Sequence, residues 1–89
     1  MLTKPTLSLR GTSSDELIDQ HREVYDHLIA ALRALDTAAP NARDYSPADF
    51  LAAVAEHDGR VKRVREVATE VCALIEWVDT EAERRQQRA

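Results

Sequence analysis

The amino-acid sequence predicts an all-α protein, an antiparallel helical hairpin that assembles into a dimeric four-helix bundle. Two complete helix-start signals precede two long stretches that contain no further proline. In the second stretch, the residues of one face recur in steps that alternate between four and three, as in helices that pack along a seam. The seam contains Phe50, Val54, His57, Val61, Val64, Ala68, Val71, Ile75, Val78 and Ala82.

Composition limits the class of protein. A chain of 89 residues forms one domain at most, and 44% apolar with 31% charged residues is typical of a globular helical protein. The net charge of −4 disfavours a nucleic-acid partner, since such binders usually carry a basic excess. The single cysteine fits a reducing compartment, no apolar run could span a membrane, and residues 1–10 lack a secretory-signal pattern. We therefore expect a cytoplasmic protein.

Residues 1–12 are predicted to form an extended N-terminal arm, and residues 13–89 a single helical-hairpin domain. Leu2, Leu7 and Leu9 could lie on a neighbouring surface, although a frayed terminus explains the segment equally well. The first helix is expected over about residues 14–37. Ser13 and Glu16 have the spacing of a capping box, in which each side chain bonds to the other residue's free backbone N–H.

The second helix is expected over about residues 47–87. Ser46 can cap it, and Pro47 occupies the first helical position, where a missing N–H costs nothing. Tyr45 and Phe50 have the spacing of a hydrophobic staple. These independent features agree on one boundary.

Gly59 could break this second helix, but the pattern favours a continuous helix, either straight or bent at Gly59. The seam crosses the glycine in phase. Two acid-before-base pairs at four apart also span it, Glu56 with Arg60 and Asp58 with Lys62. An interior glycine costs a helix only about 1 kcal/mol.

The two helices differ in length, and this difference suggests an interface. If Leu35 lies opposite Phe50, the start of the first helix lies opposite Ala68. The last part of the seam then has no cover except the arm. Large apolar patches are rarely left bare, and twofold dimers are the commonest oligomers. We therefore predict a homodimer that acts as a protein-interaction module, and leave a different protein partner open. The predicted interface residues are Val71, Leu74, Ile75, Trp77 and Val78.

Metal-dependent or nucleophilic chemistry finds little support in the sequence. His21, His27 and His57 show no metal-ligand spacing, and the nearest candidate is Glu23 with His27. Cys72 has no histidine near it in sequence to act as a base, so it is expected to pack as a small apolar residue. We predict no catalytic, cofactor-binding or metal-binding residues.

Two alternative functions remain. The basic residues between Arg60 and Arg65 could make a weak nucleic-acid contact, although flanking acidic residues favour a solvated face. A small all-helical enzyme could instead line a pocket with basic residues from both helices. The candidates for that pocket are Arg10, Arg22, Arg33 and Lys62.

Overall fold

The computed structural model describes residues 2–8 and 11–88, so the predictions for Leu9 and Arg10 lie outside the described residues. The chain forms α1 (Ser14–Thr37), a short 3-10 turn (Ala42–Asp44) and α2 (Pro47–Arg88). The two helices have 24 and 42 residues and pack against each other. The all-helical hairpin and the positions of both helices are therefore confirmed.

The first helix begins where the sequence places its cap. The Ser13 hydroxyl accepts a hydrogen bond from the backbone N–H of Glu16 at 3.2 Å, and Ser13 itself is extended. This bond satisfies one of the backbone donors that have no partner within the helix. At the other end, the N–H of Ala38 donates to the carbonyls of Ala34 and Leu35. Pro40 follows two residues later, where it prevents further helix.

The connection between the helices contains the capped 3-10 turn and the residue that caps α2. The Asn41 side chain accepts from the N–H of Arg43 and starts the 3-10 turn. The Ser46 hydroxyl then accepts from the N–H of Asp49 at 3.3 Å, and α2 begins at Pro47. The predicted start of the second helix is thus confirmed.

Helix α2 continues through Gly59 without interruption. The glycine does not have positive φ, so its backbone is available to any L-residue. Among the described residues, neither Glu56 with Arg60 nor Asp58 with Lys62 forms an ion pair. Continuity therefore comes from the backbone ladder and the packed seam, and not from these two pairs.

The connection is too short for a parallel arrangement in which the two helices start level with each other. Residues 38–46 reach about 30 Å when fully extended, whereas the chain would have to return about 36 Å along α1 to start a parallel helix. The result is an elongated molecule that measures 64 × 23 × 19 Å.

The position of α1 along α2 differs from the predicted register. A cleft of about 340 Å³ is lined by Leu7, Ser8 and residues 11–14 on one side and by Ala82, Arg85 and Gln86 on the other. We call it the arm cleft. The start of α1 therefore lies beside the last turns of α2, about four turns beyond Ala68, where it was expected.

The part of the seam after Ala68 is covered within the single chain, since α1 extends along it and the arm packs beside the end of α2. The Gly11 N–H donates to the carbonyl and hydroxyl oxygens of Ser8, which makes a turn between the arm and α1. Leu7, on the other side of this turn, is only 7% exposed, and Val78 of α2 is 2% exposed. Burial of Leu7 beside the end of α2 shows that the arm packs on its own chain. The prediction that only the arm could cover the seam after Ala68 was wrong, because α1 extends further along α2 than expected.

Candidate interaction surfaces

The predicted interface residues do not share one exposed patch. Val71 and Val78 are buried within the single chain, as part of a small core completed by Leu7 and Ala68. Leu74, Ile75 and Trp77 are half-buried and keep part of their surface accessible. An interface through these three residues stays a prediction, whereas Val71 and Val78 act first within the fold.

Other large apolar side chains are more exposed. Leu51 is 72% exposed, and Val24, Tyr45 and Val67 are close to half exposed. Leu51 was not among the residues predicted to form an interface. The available signal was position: Leu51 is one residue past a seam residue, so it points to a neighbouring face of the same helix.

A larger cleft lies on α2 alone, and we call it the α2 cleft. Its volume is about 740 Å³, and neither α1 nor the arm contributes to its lining. It is open, and its seven lining residues comprise five charged residues, one valine and one threonine. The lining residues are Asp58, Val61, Lys62, Arg65, Glu66, Thr69 and Glu70.

The five charged residues of the α2 cleft have no ionic partners within the described part of the chain. The ion pairs found there join Glu23 to His27, and Glu81 to both Arg84 and Arg85. Asp58 and Lys62 are four apart in the orientation that favours a pair, yet they make none. The charges of the cleft are thus directed to solvent and available to a partner.

The basic cluster expected to contact nucleic acid is divided between faces of α2. Lys62 and Arg65 line the α2 cleft together with three acidic residues, while Arg60 and Arg63 do not. The Arg63 guanidinium folds back beside Gly59, with Nη1 3.4 Å from the position that a Cβ would occupy there. These residues therefore form no continuous basic stripe of the kind that follows a phosphate backbone.

The residues considered for an Arg-lined pocket do not converge in either cleft. Lys62 lines the α2 cleft without Arg22 or Arg33, and both arginines are exposed on α1. Arg10 is outside the described residues. Cys72 is half-buried, and its sulfur lies 3.7 Å from a carboxylate oxygen of Glu76, with no histidine hydrogen-bonded to it within the described chain.

The three histidines have three different environments. His21 lies with Nδ1 2.8 Å from the carbonyl oxygen of Leu17, to which it donates in the tautomer protonated at that nitrogen. His27 is exposed and lies 3.8 Å from Glu23. His57 is 8% exposed in the seam. Across residues 2–8 and 11–88, no three His, Cys, Asp or Glu side chains are grouped to hold a metal ion.

Comparison of the chain with protein-family models, curated proteins and solved structures finds no match. Within the described helices, none combines the length and the apolar character needed to cross a bilayer. Any functional proposal for this chain therefore has to come from its own surfaces.

Proposed function

We propose that this protein is a small helical interaction module that acts as a homodimer, in an adaptor, regulatory or structural accessory role. The observation that carries the proposal is the large surface of the single chain. Its accessible area is 7019 Å². A compact monomer of 10.0 kDa is expected to expose roughly 5200 Å².

This excess is larger than the area that a standard interface removes from one partner. The difference is roughly 1800 Å² per chain, and a standard protein–protein interface buries about 800 Å² on each partner. The Cα radius of gyration, 18.8 Å, also exceeds the roughly 12 Å expected for a compact domain of this length. A second copy packed along the hairpin would make the assembly thicker without making it much longer.

The core of the single chain is correspondingly small. Its buried apolar side chains are Leu7, Ala68, Val71 and Val78, and no large side chain of the described residues is fully buried. Most apolar residues of both helices are only half-buried. Helices depend on such burial, because isolated helices are marginal in water. A dimer would complete the burial that one hairpin leaves partial.

Sedimentation equilibrium at micromolar concentrations tests this proposal, because it reports mass independently of shape. An elongated monomer would also elute early from a size-exclusion column, so elution volume alone is unsuitable. We expect twice the chain mass, and a thermal midpoint that rises with protein concentration, as mass action requires for a dimer. A single chain mass with a concentration-independent midpoint would contradict the proposal.

A further inference from the structure

We infer that the second copy docks on the α2 cleft with the two α2 helices antiparallel, so that Lys62 and Arg65 of each copy face Glu70 and Glu66 of the other. This inference rests on the proposed homodimer and names the surface that forms it. The surface was not among the predicted interface residues, which lie further along α2.

The order of charges along the α2 cleft carries the inference. After Asp58 at one edge of the cleft, the two basic residues come at positions 62 and 65, and two acidic residues follow at positions 66 and 70. A twofold axis across the cleft reverses one helix relative to the other. Each basic half then meets an acidic half, which is the reciprocal contact that an isologous interface requires.

The two sets of pairs agree on where the axis lies. Pairing Lys62 with Glu70 of the second copy places the axis at residue 66, and pairing Arg65 with Glu66 places it half a residue away. One antiparallel register thus forms both pairs, and symmetry repeats each of them, giving four intermolecular ion pairs. Parallel helices in register would instead bring like charges together.

The cleft is free to receive a second helix. All of its lining residues belong to α2, so neither α1 nor the arm has to move. Its charged residues also form no ion pairs within the described residues, so docking would not have to break any.

Apolar contacts on the same face complement the charges. Val61 and the methyl group of Thr69 lie within the cleft. Leu51, the most exposed large apolar residue, is seven positions before Asp58 and therefore shares its face, as positions one heptad apart do. Exposed ion pairs add little affinity, so we assign orientation and specificity to the charges and affinity to the apolar contacts.

Charge reversal tests the inference. One variant carries Lys62→Glu and Arg65→Glu, and a second carries Glu66→Lys and Glu70→Lys. Each variant places like charges opposite each other, and we expect its dimer dissociation constant to rise at least about tenfold over that of the wild type. An equimolar mixture of the two restores opposite charges, and we expect it to form heterodimers. Recovery on mixing also shows that both variants are folded.

A control with Arg33→Glu and Arg43→Glu changes the net charge by the same amount as the first variant, at exposed positions outside the cleft. It is expected to dimerise like the wild type. If the wild type dimerises and both cleft variants do so with unchanged dissociation constants, the docking surface is wrong and the dimer stands. The surface is equally wrong if the mixture fails to associate. A monomeric wild type would instead contradict the proposed function itself.

Discussion

Replacing Gly59 with alanine is expected to stabilise the protein, because Gly59 occupies the interior of a continuous helix. Its backbone does not have positive φ, so alanine fits without strain. A Cβ built there has one near neighbour, Nη1 of Arg63 at 3.4 Å. That atom is the tip of a flexible exposed side chain and can move at little cost.

The expected gain is about 1 kcal/mol in the free energy of unfolding, the difference between glycine and alanine in a helix interior. Part of this gain comes from the unfolded chain, which has fewer conformations when alanine replaces glycine. In a domain of this length, 1 kcal/mol corresponds to a rise of about 4–8 °C in Tm.

Thermal unfolding followed by circular dichroism would measure the shift, with wild type and variant at equal concentration because dimer stability depends on concentration. Two controls are available. Gly11→Ala lies outside the helices, and its Cβ would approach the Ser8 hydroxyl to 3.3 Å, so no gain is expected. Ala52→Gly, at an exposed position of the same helix, should lose about what Gly59→Ala gains. An unchanged or lower Tm for Gly59→Ala would refute a regular helix through this position.

Three further substitutions test the arm, a helix cap and the seam histidine. Leu7→Ala should lower the free energy of unfolding, measured by urea denaturation, by about 2–3 kcal/mol, since it removes most of a buried side chain. The half-buried Leu2 should cost less when replaced by alanine, and an equal loss would contradict the packed arm. Ser46→Ala should cost about 1 kcal/mol in thermal melts by removing the α2 cap, and Ser46→Asp should retain most of that stability. His57→Leu should leave Tm unchanged or raise it, because the ring makes no hydrogen bond to another described residue. A large loss would reveal a partner for the imidazole.

The charges of the α2 cleft could be predicted from the sequence, but the exposure of the cleft could not. The charges of the α2 cleft are visible in the sequence, and so is their four-apart spacing. What could not be read is that this flank of α2 stays free of α1 and the arm. Val71 and Val78 were predicted to be exposed, yet both are buried within one chain.

The sequence by itself determined the two helices and their boundaries. Caps such as Ser13 and Ser46 act through hydrogen bonds three residues away, and the continuity of α2 follows from a seam that stays in phase across Gly59. Such signals depend only on neighbours along the chain. They can therefore be read without knowledge of what packs against what.

Only the tertiary structure decided how far α1 is displaced along α2. A seam that repeats every seven residues offers apolar partners at several registers, so sliding one helix along the other changes its contacts little. The choice depends on the ends of the hairpin, where Leu7 packs beside the last turns of α2 and residues 38–46 reach its start. These contacts join residues far apart in sequence, and no local pattern encodes them.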